Sequence, residues 1–326
     1  MRRHLFLIGA LVLMLCAPQA GLAEGAGTHL ASFLEVDAGA RQVAMGGAFA
    51  GLGDDAMTVF YNPAGLKFIE GSEIHINNTT WAAGLSFQHL SYGFRHSYLR
   101  GVFAFSWSVM QMSPFDEKTE YYDPDSDFGI GIGDKVDAGD MAFGGSYCWD
   151  FGDGLSVGTT VRWYHLGMAD AFCEGVCGDV GVLYETKFRN LRVGASVMNL
   201  GPQNRWARTG SETGFGEDYP MPTTYRVGAS MRVFDVVTHR VVLTSEYKRT
   251  PDGANRASFG GEYTFHKGSI FVFGRGGYRY NYDEEGLTLG LGLLFPTSEA
   301  AFRFDYAYVD LGNLDSESRF AVTFLF

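Results

Sequence analysis

The sequence predicts an all-β protein, a closed antiparallel transmembrane β-barrel of about 14 strands. Three observations predict it. From residue 72 to the end, apolar side chains recur at every second position in successive segments separated by turn residues. The 326 residues are 46% hydrophobic and 15% aromatic but only 19% charged, with 44 Gly and 9 Pro, a composition that favours strands. The segment count is even, and tight turns alternate with long loops, as closure with both chain ends on one side requires.

Composition also excludes several classes. Lys plus Arg number 25 against 37 Asp plus Glu, a net charge of −12 with no basic stripe, so no nucleic-acid partner is expected. Apolar content is too high for disorder. A bundle of spanning helices is excluded as well, because the one long apolar run is Leu5 to Ala17. That run follows the basic start Met1-Arg2-Arg3-His4 and precedes the small-residue stretch Gly21-Leu22-Ala23. Residues 1–23 therefore read as a signal peptide for export, too short to span a bilayer comfortably.

The strand phase is explicit in the sequence. Leu155, Val157, Thr159, Val161 and Trp163 oppose Ser156, Gly158, Thr160, Arg162 and Tyr164. Leu287, Leu289, Leu291, Leu293 and Phe295 alternate with Thr288, Gly290, Gly292 and Leu294. Charges fall on the polar phase throughout: Arg162, Arg192, Arg226, Arg232, Glu246, Glu262, Arg275, Arg279, Arg303 and Asp305 are all expected to face inward. Rows of opposed Arg and Glu on neighbouring strands read first as wall-bracing ion pairs. An unpaired Arg among them is a candidate for a carboxylate ligand. Segments near 72–81, 84–93, 101–111, 139–150, 155–166, 177–187, 191–199, 223–233, 240–249, 256–265, 269–280, 286–295, 300–308 and 318–326 make up the wall.

Connections near 151–154, 187–190 and 266–268 are tight, whereas 112–138, 167–176 and 200–222 are long and are expected at the cell surface. Cys173, in the second of these loops, and Cys177, at its edge, enclose only Glu174, Gly175 and Val176, a short loop that a disulfide could pin after export. In the first, Asp123, Asp125 and Asp127 space carboxylates like the start of a calcium loop. Its Gly129 is one place late and Asp134 replaces the bidentate Glu, so a solvated acidic loop is the simpler reading. No cofactor is implied. No nucleophile is recognisably paired with a base, so no enzymatic activity is expected.

Residues 24–71 break the alternation and cannot form a strand pair. They contain Met45-Gly46-Gly47-Ala48, Gly53-Asp54-Asp55-Ala56 and Tyr61-Asn62-Pro63-Ala64-Gly65-Leu66. This order resembles the N-terminal hatch of the FadL (OmpP1/FadL/TodX) superfamily of long-chain fatty acid transporters. Chain length and Leu191–Pro202, Met221–Gly228 and Gly260–Tyr263 look more like the PorV/PorQ branch. The closing strand, ending in Phe324-Leu325-Phe326, resembles the recognition signal of bacterial outer-membrane barrels, with Phe324 and Phe326 its signature. The resemblance implies an outer-membrane barrel over 72–326, set in lipid by the barrel-assembly machinery, with 24–71 folded into the lumen. Such a plug is also expected physically, since about fourteen strands enclose more space than wall side chains fill. Asn62 and Pro63 read first as turn-formers, and the glycines as sites of close approach.

The function implied is passive uptake of hydrophobic small molecules past the hatch. The alternative, from the PorV/PorQ likeness, is a component of type IX secretion whose partner is secreted protein cargo.

Overall fold

The computed structural model describes residues 29–326 apart from 82–84, 97, 99–100, 113–114, 122–128, 137, 211–213, 251–252 and 313–315, with backbone only over 115–121 and 129–136. The expected signal peptide, residues 1–23, and the Asp123, Asp125 and Asp127 loop lie outside the described residues.

The chain enters through four short helical turns: Ser32–Glu35 (3-10), α1 (Ala40–Ala44), Ala56–Phe60 (3-10) and Pro63–Phe68 (3-10). Eighteen strands follow. They are β1 (Ser72–Thr80), β2 (Leu85–His96), β3 (Gly101–Met112), β4 (Phe115–Tyr121), β5 (Gly129–Val136) and β6 (Ala138–Gly152). Next come β7 (Leu155–Met168), β8 (Ala171–Glu185), β9 (Arg192–Leu200), β10 (Asn204–Arg208), β11 (Phe215–Tyr219) and β12 (Thr224–Val236). The last are β13 (His239–Arg249), β14 (Asn255–Lys267), β15 (Ile270–Tyr280), β16 (Leu287–Pro296), β17 (Ala301–Asp310) and β18 (Ser316–Leu325).

Fourteen of these make a closed antiparallel barrel. Each pairs with its neighbours in chain order, β1 pairs with β18, and β8 with β9 completes the ring. Closure leaves no unpaired edge, which is what lipid demands of a sheet. The two remaining pairs, β4–β5 and β10–β11, are hairpins inserted between β3 and β6 and between β9 and β12. Both stand at the end away from the terminus, where Ser72 and Phe326 exchange backbone hydrogen bonds of 2.7 and 2.9 Å. We call that end the near end and the opposite one the far end.

Alternation is borne out strand by strand. On β7 the residues Ser156, Gly158, Thr160, Arg162 and Tyr164 are buried while Val161 and Trp163 are exposed. On β16 Thr288, Gly290 and Gly292 turn inward, and Leu291 is 65% exposed. With Phe143, Phe259 and Phe304 also exposed, the outer wall is an apolar band, the surface a barrel presents to acyl chains.

One sequence expectation is corrected here. No surface loop spans 167–176: β7 and β8 run on to a two-residue turn, with Met168 opposite Ala171 and Leu166 opposite Cys173. Cys173 and Cys177 thus both sit inside β8, as buried free thiols on the inward face. Four residues along a strand separate their Cα atoms by about 13 Å, roughly twice what a disulfide tolerates. They cannot bond to each other. They serve instead as small apolar residues in a cluster with Leu30, Phe33, Phe87, Tyr164, Leu166 and Met221.

Candidate functional site

Residues 29–71 fill the lumen. The turns form for local reasons: the Asp55 carboxylate accepts from Met57 N and caps Ala56–Phe60, and Asn62 Oδ1 accepts from Ala64 N and caps the turn begun by Pro63. Asn62 then ties three parts together, because its Nδ2 also donates to Ala50 O at 2.8 Å and Val182 O at 3.0 Å. The Asn-Pro-Ala-Gly stretch is therefore both a turn and a rivet to β8. Gly65 completes it, since a side chain there would strike Thr58 and the Gly53 backbone.

The hatch meets the wall all the way round. The turn 56–60 packs on β1, β2 and β3, 63–68 on β3, β6, β7 and β8, and α1 on β15 to β18. Between them, Ala50 and Gly51 lie against Gly194 of β9 and Gly228 of β12, and Met45 and Gly46 against Gly260 of β14 and Gly277 of β15. Thr244 of β13 donates to Ala48 O at 2.7 Å. Backbone meets backbone at these points: a Cβ on Gly228 would lie 2.8 Å from Gly51 N, and one on Gly260 2.7 Å from the Met45 side chain. Only glycine leaves room. Gly46 and Gly47 also need it for their φ of 70° and 77°.

Charge holds the same joint. Among the ten residues expected to face inward, the structure places Arg162, Arg226, Glu246, Glu262, Arg275, Arg303 and Asp305 buried in the lumen. Arg162 pairs with Asp179 at 2.8 Å, Arg226 with Glu246 at 2.7 Å and Arg275 with Glu262 at 2.7 Å, each across a strand seam. Arg275 also reaches Asp305 at 2.7 Å over Gly292, whose missing side chain leaves the gap. None of the seven stands as an unpaired receptor for a carboxylate.

The same residues hold the hatch. Arg41 pairs with Glu262 at 2.9 Å, with Asp54 at 2.6 Å and with Asp55 at 3.0 Å, and Arg303 pairs with Asp55 at 3.0 Å. Asp37 is shared by Arg226 at 2.8 Å, Arg279 at 3.3 Å and Lys248 at 3.4 Å, while Arg319 donates to its carbonyl. Burial pushes the Asp37 carboxyl up, but Lys248, Arg226 and Arg279 outweigh it and hold the group well below the usual carboxylate range. Asp55 is held low in the same way, with Arg303 and Arg41 overcoming its burial.

Asp37, Arg41, Asp179, Lys248 and Arg319 were not singled out by sequence reasoning. A signal existed for the first two, charged residues in the otherwise small and apolar run from 36 to 50. The glycines were visible on the inward phase of β7, β12, β14, β15 and β16, but the backbone they accommodate belongs to a distant segment.

Cavities open at both ends of this plug. At the far end, about 540 Å³ is lined by Leu30, Phe33, Trp81, Leu85, Met110, Leu166, Trp206 and Tyr219, with His29 and Asp140 among the polar groups. Beside it lies about 310 Å³ bordered by Lys248, Arg279, Arg319 and Trp81. The near-end cavity, about 260 Å³, carries Arg41, Asp54, Arg192 and Arg240. Between them Phe33 stacks edge-on against Phe87 at 6.2 Å, and Phe60 against His89 at 4.9 Å, closing the apolar side. Among the described residues, β1–β2, β2–β3 and β3–β6 are paired along their length and leave no side door.

The same architecture occurs in solved structures. The toluene transporter TbuX of Ralstonia pickettii superposes with a TM-score of 0.58 over 88% of this chain and 97% of its own, at 13% identity. The likeness is one of fold. The Pseudomonas putida toluene transporter TodX gives 0.56 over 92% and 97% at 11% identity, and a Pseudomonas aeruginosa FadL homologue 0.51 over 85% and 95% at 10%. No protein-family model and no curated protein sequence matches the chain.

Proposed function

We propose that the protein is an outer-membrane channel for passive uptake of hydrophobic small molecules, which bind first in the far-end cavity and pass the hatch when it yields. One observation carries this reading. The far-end cavity is apolar and aromatic, of the size that holds a small ligand, and its floor is the hatch itself. The apolar outer wall supports a membrane location, with Phe324 and Phe326 of the closing strand as the assembly signal. The fold shared with toluene transporters and a FadL homologue supports a hydrophobic cargo. Fatty-acid-like solutes are the finer assignment within that class.

The test is uptake of labelled toluene and labelled oleate by cells expressing the chain, against the Leu166→Arg variant. A buried cation at Leu166 spoils the cavity, and uptake of the true cargo drops at least tenfold. Uptake equal to that of cells without the protein, for both solutes, contradicts the proposal.

A second reading, a PorV/PorQ-type component of type IX secretion that receives or anchors cargo, draws on the sealed lumen and the β4–β5 and β10–β11 hairpins at the far end. Recovery of a secreted protein on the tagged barrel, lost when the hairpins are shortened, favours it.

A further inference from the structure

Where the hatch meets β1, the structure holds a set of donors that the ion-pair network leaves incomplete. Glu73 and His75 are successive inward residues of β1, 4% and 0% exposed, and Asp55 of the hatch faces them. One donor atom from each of Asp55, Glu73 and His75 lies within 4.8 Å of the others. Glu73 accepts a single hydrogen bond, from Ala56 N at 3.2 Å, and among the described residues it has no ion-pair partner. His75 Nδ1 meets Thr323 Oγ1 at 2.9 Å, while its Nε2 is buried with no partner. A buried carboxylate without a counter-charge and a buried ring nitrogen without a partner are each costly, and one bound cation would satisfy both.

Charge selects its class. With a cation holding Glu73 ionised, the joint around Asp55 contains five carboxylates (Asp54, Asp55, Glu73, Glu262, Asp305) and three guanidiniums (Arg41, Arg275, Arg303), a sum of −2. Arg192 and Glu185, paired with each other at 3.1 Å, leave that sum unchanged. One dication balances it.

We propose that Asp55, Glu73 and His75 bind a divalent transition-metal ion, zinc by preference, that staples the hatch to the first wall strand. Two carboxylates and one imidazole are a zinc donor set. The contact of Nδ1 with Thr323 Oγ1 fixes the ring, the outer support that metal-bound histidines ordinarily have. Arg41 and Arg303 already contact Asp55, so Glu73 and His75 supply the primary donors and Asp55 closes the site from the hatch side. The metal then joins two segments that already pack together here and share the Ala56 N–Glu73 hydrogen bond.

The experiment uses the mature chain purified in detergent, dialysed against metal-free buffer and assayed by elemental mass spectrometry. The expected result is one zinc per chain, and a visible cobalt absorption band after exchange for Co²⁺. Both fall at least tenfold in His75→Gln and in Glu73→Gln and persist in His29→Gln. Chelation lowers the melting temperature of the parent but not of His75→Gln. A folded parent chain without bound zinc and without a cobalt band after reconstitution overturns the proposal, as does metal retained in both Glu73→Gln and His75→Gln. Should one of these variants fail to fold, the other and the parent reconstitution still decide.

Discussion

Asp37 carries one negative charge into a space shared by Arg226, Lys248 and Arg279, and so does more for the plug than any single apolar contact. Removing one member of a buried charge cluster leaves the others unpaired, at about 3–5 kcal/mol. Asp37→Asn is therefore expected to loosen the hatch by that order, read as faster proteolysis of the 29–71 segment in a still-folded barrel. The pH dependence follows from the same group. Asp37 and Asp55 both titrate lower when seated than when free. They therefore stabilise the seated hatch at every pH above about 4, and that contribution is lost as pH falls below this value. With a chelator present, the extra protection of the parent hatch over Asp37→Asn should stay level from pH 8 to 5 and decline in stronger acid; a difference that shrinks on the alkaline side would contradict the assignment. Glycine supplies a sharper pair. A Cβ on Gly277 would collide with Gly46 N, whereas one on Gly276 meets nothing nearer than the tip of Leu289 at 3.8 Å. Gly277→Ala should unseat the hatch and admit a small dye to the vesicle interior, while Gly276→Ala should leave it excluded. Equal leakage from both would remove the close-approach argument.

Among the elements, strands were legible and one turn was not. Period-two alternation locates all fourteen wall strands, because a sheet wet on one side and greasy on the other leaves no other pattern. β8 began six residues earlier than its sequence suggested. Its first six residues, Ala171–Val176, set Cys173, Glu174 and Gly175 between Phe172 and Val176 and break the alternation, and the preceding turn is Ala169-Asp170 with no glycine or proline to mark it. Ala169 takes a φ of 54° there, a conformation sequence does not advertise for alanine. The consequence is chemical. Cys148, Cys173 and Cys177 should all react with a thiol reagent in denaturant after isolation without reductant, and the intact mass should show no loss of two hydrogens. A Cys173–Cys177 cross-link found by peptide mapping would restore a surface loop and refute the β7–β8 register.

At the scale of the whole molecule, the hatch is attached differently on its two sides. Toward β12–β18 it is held by guanidinium–carboxylate pairs and by backbone seated on glycine; toward β3 and β6, Ala56, Val59, Leu66 and Ile69 rest on Val102, Ala104 and Cys148. Sequence could place the plug and list the inward charges, yet it could not say that the charges serve the plug. Partners such as Arg41 and Glu262 stand 221 residues apart, and only the closed ring brings them together. The fold thus sets an apolar cavity at the far end, the hatch joint in the middle and a polar chamber at the near end. The most direct measurement is the electrical conductance of single barrels in a planar bilayer. The parent chain should be electrically silent, and the chain lacking residues 24–71 should pass a steady ionic current. A parent chain that conducts as freely as the deleted one would show that the hatch does not close the lumen.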